Sequence, residues 1–379
     1  MKFEISKENL LEGLKVGKSI SGKSTLEALN GVYIEAAGDK IIFRGSDTDI
    51  SIETSVVADV YVEGKLLVDY KIFSDIARKL PNDCITIDSE ESSEVNIICK
   101  KSHFKLISMD CDQYPKFPKL DDEKTVSIKI PQSDFREVIN KVYFAASLDD
   151  TRPILKGTLI EIENNKLNLA AMDGYRVSTA SLYVDADKKV SAIPDTKHLV
   201  EVSRLLGSTG IVEIGFTDNK ILFKMDNTTT ICRLLEGSYV NYRSIISPFM
   251  DECKYKFDIN RNEIISALER ATLLSKGKDG RNLIKFKINE NSDTLNIVSR
   301  STMGNSTEEV VITDSEGFTE TFEIAFNSTY LSDILKHLGN EELTFYLNSN
   351  VNPCIIRGKG VSKDFETFLV LPVRINLAQ

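Results

Sequence analysis

A β-strand pattern that runs directly into an α-helix pattern opens this chain and then recurs along it. Phe3 and Ile5 alternate with charged residues, which is the two-residue period of a strand with one buried face. Leu10, Leu11 and Leu14 follow at the spacing of one apolar helix face. Because this pattern recurs, the repeats decide the fold before any other feature is considered.

Two more full copies of the pattern lie further along the chain. In every copy the last strand residue precedes one apolar helix residue by five positions and a second by nine. The three sets are Ile5, Leu10 and Leu14; Ile130, Phe135 and Ile139; and Ile259, Ile264 and Leu268. The copies begin 125 and 129 residues apart.

A looser version of the same unit lies midway through each copy. It is centred on Val68, Ile193 and Phe326, which lie 63, 63 and 67 residues after the full unit of the same copy. Six units at such regular spacing predict an α+β protein of three repeated domains, each made of two half-domains with a strand, a helix and a meander of strands. The predicted domains span residues 1–125, 126–250 and 251–379.

The composition excludes several classes of protein. Apolar residues make up 41% of the 379 residues, and no run approaches the roughly 18 apolar residues that a membrane helix needs. The chain begins with a strand pattern, so we expect no signal peptide. Six cysteines occur without a Cys-x-x-Cys pair, and three histidines do not cluster. We therefore expect a cytoplasmic protein with reduced thiols, no metal and no cofactor.

The charge is unevenly distributed, although its sum is −10. The six predicted helical stretches are residues 7–18, 69–80, 132–142, 195–206, 261–270 and 328–338. They hold 13 Lys and Arg against 11 Asp and Glu, so the rest of the chain carries −12. The helices are thus the less acidic part of the chain. Ordinary solvated helix faces explain this modest asymmetry as well as a binding surface does.

Residues 17–24 match the phosphate-loop pattern G-x-x-x-x-G-K-[ST] letter for letter. That motif works where a buried strand precedes the loop and a helix follows it. Here a helix pattern precedes the loop and a strand pattern, residues 31–36, follows it. We therefore expect a polar loop whose Lys18 and Lys23 contact phosphates by charge alone. A nucleotide hydrolase that uses Lys23 is the alternative.

A turn in the second copy and the end of the chain are also unusual. The Asp173-Gly174 pair predicts a turn that aims Tyr175 and Arg176 away from the sheet. Residues 368–374 have a strand pattern with a proline inside it, which suits the edge of a sheet. An apolar edge beside exposed aromatic residues suggests a groove for a partner peptide, and ordinary core packing is the alternative.

No arrangement of residues typical of an active site occurs in the sequence. There is no G-x-S-x-G, no H-E-x-x-H and no pair of metal-binding carboxylates on one predicted helix. Active sites assemble from residues that are distant in the sequence, so this absence only weakly favours a protein that is not an enzyme.

Six short motifs, spread over essentially the whole chain, resemble those of one family. They are Met1-Lys2-Phe3, Thr151-Arg152-Pro153-Ile154-Leu155-Lys156-Gly157, Asp173-Gly174-Tyr175-Arg176, Leu235-Glu236-Gly237-Ser238-Tyr239, Ala325-Phe326-Asn327-Ser328-Thr329-Tyr330-Leu331 and Leu371-Pro372-Val373-Arg374. Together with the repeats, these motifs are similar to those of the bacterial sliding clamps, the beta subunits of DNA polymerase III. The resemblance implies a processivity factor, in which two chains join head to tail into a homodimeric ring around duplex DNA.

The resemblance implies that helices line the hole of this ring and touch the DNA only weakly. Strong phosphate contacts would hold the ring in place and stop it from sliding. The candidate contacts are Lys18, Lys23, Lys71, Arg78, Lys197 and Arg204. Lys23 is the best of these by resemblance, because the family has a basic residue in this loop. The alternative is a repeat scaffold that binds peptides but no DNA.

The resemblance also implies a groove that holds short peptides of replicative and repair polymerases, the clamp loader and other proteins, with no membrane partner. Its apolar part would be Leu155, Met172, Gly174, Tyr175, Arg176, Val177, Val240, Ile245, Leu369, Leu371, Pro372 and Val373, and its more polar part Arg152, Asn327 and Tyr330, with Arg374 closing the last motif. Met172, Val240 and Ser244 depart from residues that are common in the family, which bears on peptide preference.

Overall fold

The computed structural model describes residues 1–20, 24–89, 93–118, 125–186, 188–249, 253–275 and 282–374. The α-helices in this part of the chain are α1 Lys7–Gly13, α2 Tyr70–Lys79, α3 Gln132–Val142, α4 Thr196–Leu205, α5 Tyr242–Ile246, α6 Arg261–Thr272 and α7 Ser328–His337. The strands are β1 Lys2–Ser6, β2 Gly31–Ala37, β3 Lys40–Ser46, β4 Ile50–Val57, β5 Asp59–Val62, β6 Gly64–Asp69, β7 Cys84–Asp88, β8 Glu94–Cys99, β9 Ser102–Ile107, β10 Val126–Pro131, β11 Leu159–Glu163, β12 Lys166–Met172, β13 Arg176–Tyr183, β14 Val190–Ala192, β15 Ile211–Phe216, β16 Lys220–Lys224, β17 Thr228–Arg233, β18 Tyr255–Asn260, β19 Leu283–Ile288, β20 Thr294–Ser301, β21 Gly304–Glu316, β22 Phe322–Asn327, β23 Glu342–Leu347, β24 Cys354–Gly358 and β25 Glu366–Val370.

Each of the six predicted units contains a strand that leads directly, or within a few residues, into a helix. In four of them the residue at the switch caps the helix with its side-chain oxygen: Ser6, Asp69, Asn260 and Asn327. Such a cap accepts a backbone N–H of the first helical turn that would otherwise have no partner. Five of the helical stretches predicted from apolar spacing are confirmed to within a few residues at each end, whereas in the first, residues 7–18, the α-helix ends at Gly13 and the 3-10 helix Leu14–Ser19 follows it.

The chain divides into two compact units. The first contains residues 1–136 and 197–235. It holds an eight-stranded sheet in the order β10-β15-β16-β17-β4-β3-β2-β6 and a five-stranded sheet in the order β5-β1-β7-β8-β9. Its largest fully buried side chains include Phe3, Phe43 and Phe73. Strand β5 pairs with β1 in the five-stranded sheet and not with β4, its neighbour in the sequence.

The second unit contains residues 137–196 and 236–379. It holds a twelve-stranded sheet in the order β14-β11-β12-β13-β25-β24-β23-β18-β21-β20-β19-β22. A core rich in phenylalanine, with Phe257, Phe286, Phe326 and Phe345, lies against α6 and α7. The division into units cuts through the second predicted repeat, so the three domain boundaries stay a prediction.

A local prediction near the candidate groove was wrong. Strand β25 lies inside the sheet between β13 and β24, not at an edge, and it ends at Val370 before the proline. Pro372 needs no ladder hydrogen bond at its position beyond the strand, so it does not exclude a central place for β25. The segment around residues 239–248 contains the short helix α5.

The phosphate-loop pattern lies in a context that does not suit nucleotide binding. A 3-10 helix, Leu14–Ser19, runs into its first three residues, and a second 3-10 helix, Glu27–Asn30, and then β2 follow it. Lys23 lies outside the described residues.

No helix in the described part of the chain is long and apolar enough to cross a membrane. The same residues contain no group of three or more His, Cys, Asp or Glu side chains that could hold a metal ion.

Candidate functional site

A tight turn between β12 and β13 presents the first aromatic residue of the candidate groove. Asp173 Oδ1 accepts hydrogen bonds from the backbone N–H groups of Tyr175, at 2.9 Å, and Arg176, at 3.0 Å. Gly174 between them has a φ of +94°, a left-handed conformation that strains other residues. A Cβ added at Gly174 would meet Arg152 Nη1 at 3.5 Å, so the two candidate groove residues adjoin. As predicted, the turn leaves Tyr175 exposed, at 59% of its surface.

Arg176, in contrast, does not point away from the sheet as the turn pattern suggested. Its side chain is buried, and its guanidinium donates to Asp173 Oδ2 at 3.0 Å, Asp333 Oδ2 at 2.7 Å and the Phe144 carbonyl oxygen at 2.6 Å. The two carboxylates and the carbonyl together satisfy most of its donors. Arg176 therefore supports the groove from within. Its guanidinium takes part in the groove only through contacts with neighbouring aromatic rings.

An aromatic wall stands beside the turn. The rings of Tyr175 and Tyr330 are stacked, with centroids 5.7 Å apart and an interplanar angle of 21°. The guanidinium carbon of Arg176 lies 4.7 Å from the centroid of the Tyr330 ring and 5.3 Å from that of Phe144. Burial raises the pKa of the Tyr330 phenol above its ordinary value, and the Asp173 carboxylate adds to this. The wall thus combines stacking with cation–π contacts to a fixed charge.

The apolar floor of the candidate groove is formed by three neighbouring strands. Met172 of β12 lies opposite Val177 of β13, which lies opposite Leu369 of β25. Residues in register on adjacent strands project from the same face of the sheet, so these three side chains form a row. All three are buried, as is Leu155 from the 3-10 helix Pro153–Lys156.

The segment after β25 is attached to the turn and to β22 by its backbone. Leu371 N donates to the Tyr175 carbonyl oxygen at 2.8 Å, and Val373 N donates to the Ala325 carbonyl oxygen at 2.8 Å. Pro372, which has no N–H, stands between these two bonds. The side chain of Leu371 stays 37% exposed beside the floor, and Arg374 is exposed.

The remaining candidate groove residues lie on the linker and on α7. Val240, which lies just before helix α5, is exposed. Ile245 lies within α5 and is half-buried. Tyr239 just before them donates its hydroxyl to the Gly157 carbonyl oxygen at 3.2 Å, and burial raises the pKa of its phenol. Asn327, which was expected to contact a peptide, accepts a hydrogen bond from Thr329 N at 2.9 Å as the cap of α7.

Two residues that support the groove, Phe144 and Asp333, were not identified from the sequence pattern. Asp333 lies one helical turn after Tyr330, on the same face of α7, and this spacing could have pointed to it. His337, one more turn along, stacks on Phe144 with ring centroids 4.4 Å apart. Nothing in the local sequence around Phe144 signals that its carbonyl oxygen accepts from Arg176.

The cationic residues predicted to face DNA fall in the first unit. Lys71 and Arg78 lie on the exposed side of α2, and Arg78 is 3.7 Å from Asp75 in a loose ion pair. Lys18 lies close enough to Arg204 for their charges to interact. Burial lowers the pKa of the Lys18 ammonium, the Glu201 carboxylate opposes this shift, and Arg204 adds to it. Lys197 and Arg204 are exposed on α4.

Comparison with known proteins gives a consistent result over the whole chain. Residues 1–118, 129–241 and 249–374 match the N-terminal, central and C-terminal domains of the DNA polymerase III beta subunit, respectively. The beta sliding clamp of Bacillus subtilis strain 168 is 31% identical over 99% of this chain and 100% of its own length. That of Staphylococcus aureus is 31% identical over 99% of both chains.

Solved structures agree with these matches. The DNA polymerase sliding clamp of Bacillus subtilis superposes with a TM-score of 0.91 at 30% identity, covering 99% of this chain and 100% of the other. A sliding clamp from Pseudomonas aeruginosa bound to griselimycin gives a TM-score of 0.90 at 25% identity with the same coverage. The fold and its repeats define a protein of the DNA-clamp class. The chain belongs to the beta sliding clamp family, the beta subunits of bacterial DNA polymerase III, and it is a non-catalytic processivity factor.

Proposed function

We propose that two copies of this chain close head to tail into a ring around duplex DNA, and that each copy tethers polymerases, the clamp loader and repair proteins through the groove described above. The three predicted domains, residues 1–125, 126–250 and 251–379, would be the repeating parts of this ring. The protein would act in the cytoplasm, where bacterial DNA is replicated. The observation that carries the proposal is a pair of open strand edges, each with exposed apolar residues.

The first open edge is strand β9. In the described part of the chain β9 pairs with β8 alone, so the backbone groups along its other side are open. Phe104 and Ile107 on this strand are 41% and 78% exposed. An apolar edge strand is a template for pairing with another chain, and monomeric proteins usually avoid such edges. This edge therefore supports an interface in the first unit.

The second open edge lies along β21. Residues 304–311 of this long strand pair with β20, whereas residues 312–316 pair with β18. The other side of the first part is open in the described residues. Val311 on this strand is exposed, and so is Leu273, the residue that follows α6. Because the two open edges differ, pairing of β9 with β21 of a second copy would be a head-to-tail contact, and the proposed ring contains two such contacts related by a rotation of 180°.

The exposed helix cations support the passage of DNA. Lys71, Arg78, Lys197 and Arg204 are exposed, and the two arginines are each held by a carboxylate one turn away. Such pairs leave the helix surface only weakly positive. A weakly positive lining attracts phosphates without fixing them, which suits a ring that must slide.

The row of buried apolar side chains supports peptide binding, and beside it lies the stacked pair of Tyr175, which is exposed, and Tyr330, which is half-buried. Apolar anchors in such pockets usually dominate the affinity of a short peptide. The Pseudomonas aeruginosa relative that binds griselimycin shows that a clamp of this fold can hold a ligand. For this chain the groove residues would be those of the turn, the floor and α7.

One experiment tests the ring. The protein is placed on nicked circular DNA with a clamp loader, unbound protein is removed by gel filtration, and the DNA is then cut once. A ring is expected to stay on the circle and to be released on cutting, because linear DNA lets it slide off the ends. Release that does not depend on cutting, or light scattering that gives the mass of a single chain at micromolar concentration, would contradict the proposal.

A further inference from the structure

A second hollow lies beside α5 in the same unit as the candidate groove. Its volume is about 440 Å³, which is within the range of small-ligand pockets. Strands β12, β13 and β25 form its floor, and Arg243 and Ile246 of α5 line one side. Lys363 and Asp364, from the loop that precedes β25, line another side. We call this hollow the polar cavity.

The polar cavity lies on the same sheet face as the floor of the candidate groove. Along β12, Asn168 and Met172 are four residues apart and therefore project from the same side. Opposite them on β13 lie Ser181 and Val177. Asn168 and Ser181 line the polar cavity, whereas Met172 and Val177 form the apolar row. Four residues of extended chain span about 13 Å, so one peptide is long enough to reach both parts.

The floor changes from apolar to polar over this distance. Ser181 Oγ donates to Asn168 Oδ1 at 2.8 Å, and Thr179 Oγ1 donates to the Thr367 carbonyl oxygen at 3.2 Å. These hydroxyl and amide groups offer hydrogen bonds to polar side chains or to peptide backbone. An apolar anchor would gain little here, so the cavity suits a polar part of a ligand.

The cations that line the polar cavity outnumber its carboxylates, three to two. Lys166, Arg243 and Lys363 line it together with the two carboxylates of Glu163 and Asp364. The Lys166 ammonium lies 5.2 Å from the centroid of the Tyr183 ring and 5.1 Å from that of Phe365.

Lys166 differs from Arg243 in how its charge is balanced. Arg243 is paired with Glu161 at 2.8 Å. Lys166 has no ion pair within the described residues, and aromatic faces leave a cation with much of its capacity to attract a carboxylate.

We propose that the polar cavity binds acidic residues that flank the apolar motif of a partner peptide. The inference rests on the proposed peptide groove and extends it. One end of the floor binds apolar anchors, and the other end binds carboxylates. Partners with an acidic flank next to their motif would then compete better for this clamp than partners with a neutral flank.

Peptide binding measured by fluorescence anisotropy tests the proposal. Three forms of an apolar clamp-binding peptide are compared: the motif alone, the motif with a two-residue Asp-Glu extension at either end, and the motif with the matching Asn-Gln extension. The acidic extension at one end is expected to bind about 3- to 10-fold more tightly than the neutral one, with a gain that shrinks as salt increases. Equal binding of acidic and neutral extensions at both ends would overturn the proposal.

Variants of the protein show where the acidic extension of the peptide binds. The double variant Lys166→Gln, Lys363→Gln is expected to remove the gain, and Lys224→Gln, an exposed lysine in the other unit, is expected to retain it. Asn168→Asp keeps the acceptor for Ser181 but adds a negative charge to the floor, so it should weaken the acidic peptide and leave the motif alone unchanged. A gain that persists in the double variant would overturn the polar cavity as its site. Failure of the motif alone to bind would instead overturn the groove itself.

Discussion

Arg176 Nη1 lies 2.7 Å from Asp333 Oδ2, and this ion pair joins the start of β13 to helix α7. The same guanidinium contacts the ring of Tyr330, which stacks on Tyr175. A buried charge therefore lies against a stacked pair of rings, of which Tyr175 is exposed and Tyr330 is half-buried. One turn further along α7, His337 Nδ1 lies 2.7 Å from the Asp333 carbonyl oxygen. The wall of the candidate groove is rigid because α7, β13 and the turn share one hydrogen-bond network.

Replacing Asp333 with Asn should loosen this wall. Arg176 keeps Asp173 and the Phe144 carbonyl oxygen, so the loss is partial, and we expect the free energy of unfolding to fall by about 1 to 2 kcal/mol. Peptide affinity should fall about fivefold as the tyrosine pair becomes mobile. Urea denaturation measures the change in the free energy of unfolding, and fluorescence anisotropy measures the change in peptide affinity.

Glu323→Gln is the matched control for Asp333→Asn. Its carboxylate is as exposed as that of Asp333, at 36%, and pairs with Lys285 at 3.1 Å in the same unit. Because both partners are near solvent, we expect a change below about 0.5 kcal/mol and no change in peptide affinity. Equal effects of the two variants would show that the Arg176 network has no special role in the groove.

Leu371→Ala should weaken peptide binding with little effect on stability. The side chain is 37% exposed beside the floor, and its backbone N–H to Tyr175 is unaffected by the change. An apolar contact at the centre of a small interface is often worth 1 kcal/mol or more, so we expect about a tenfold loss of affinity. Val351→Ala, an exposed apolar residue elsewhere in the same unit, should bind like the wild type. Unchanged affinity of the Leu371 variant would place the peptide elsewhere.

Ile107→Asp should convert the proposed dimer to monomers. The residue is 78% exposed on the open strand β9, and a charge there would have to be buried on pairing. Val62→Asp provides the control, because Val62 is also exposed but lies on β5, the opposite edge of the same five-stranded sheet. Light scattering should give one chain mass for the first variant and twice that mass for the second. A dimeric Ile107 variant would exclude this edge from the interface.

The sequence was sufficient to predict the six units because their signals are local. A capping residue such as Ser6 or Asp69, followed by apolar residues at helical spacing, fixes the switch from strand to helix within about ten residues. The same local signals predicted the exposed Tyr175, since a turn residue and a left-handed glycine act over four positions.

The place of β25 could not be predicted, because it depends on pairing between distant residues. Val177 lies opposite Leu369, and no local pattern encodes a partner so far away in the chain. Pro372 in the strand pattern predicts a place at the edge of a sheet, but β25 ends two residues before this proline. Likewise, the burial of Arg176 depends on Asp333 from a distant helix, so the turn alone gave the wrong direction for its side chain.

Replacing both Lys71 and Arg78 with Gln should reduce the salt dependence of DNA binding. Each phosphate contact that is lost lowers the slope of log affinity against log salt concentration by about 0.9, so a decrease of up to about 2 is expected. Anisotropy of a short duplex at several salt concentrations measures the slope. Lys224→Gln, which lies on strand β16, is the control and should leave the slope unchanged. An unchanged slope in the double variant would exclude α2 from the DNA surface.

Tyr242 should make the stability of the protein fall at alkaline pH. Burial is the main cause that raises the pKa of its phenol from 10.0 to about 12, and the nearby Arg243 opposes the shift. The unfolded chain loses this proton near pH 10, whereas the folded chain holds it until about pH 12. The stabilisation is therefore complete below pH 10, and about 2 to 3 kcal/mol is lost as the pH rises through 12.

Urea denaturation between pH 8 and 12, with Tyr242→Phe as the comparison, measures the contribution of this one group. Other buried tyrosines with raised pKa values, such as Tyr239, act equally in both proteins. The two proteins should be similarly stable at pH 8, and the variant should become the more stable of the two above pH 10, because phenylalanine has no proton to lose. Parallel curves for the two proteins over this range would show that the Tyr242 phenol is not shielded from solvent beside α5.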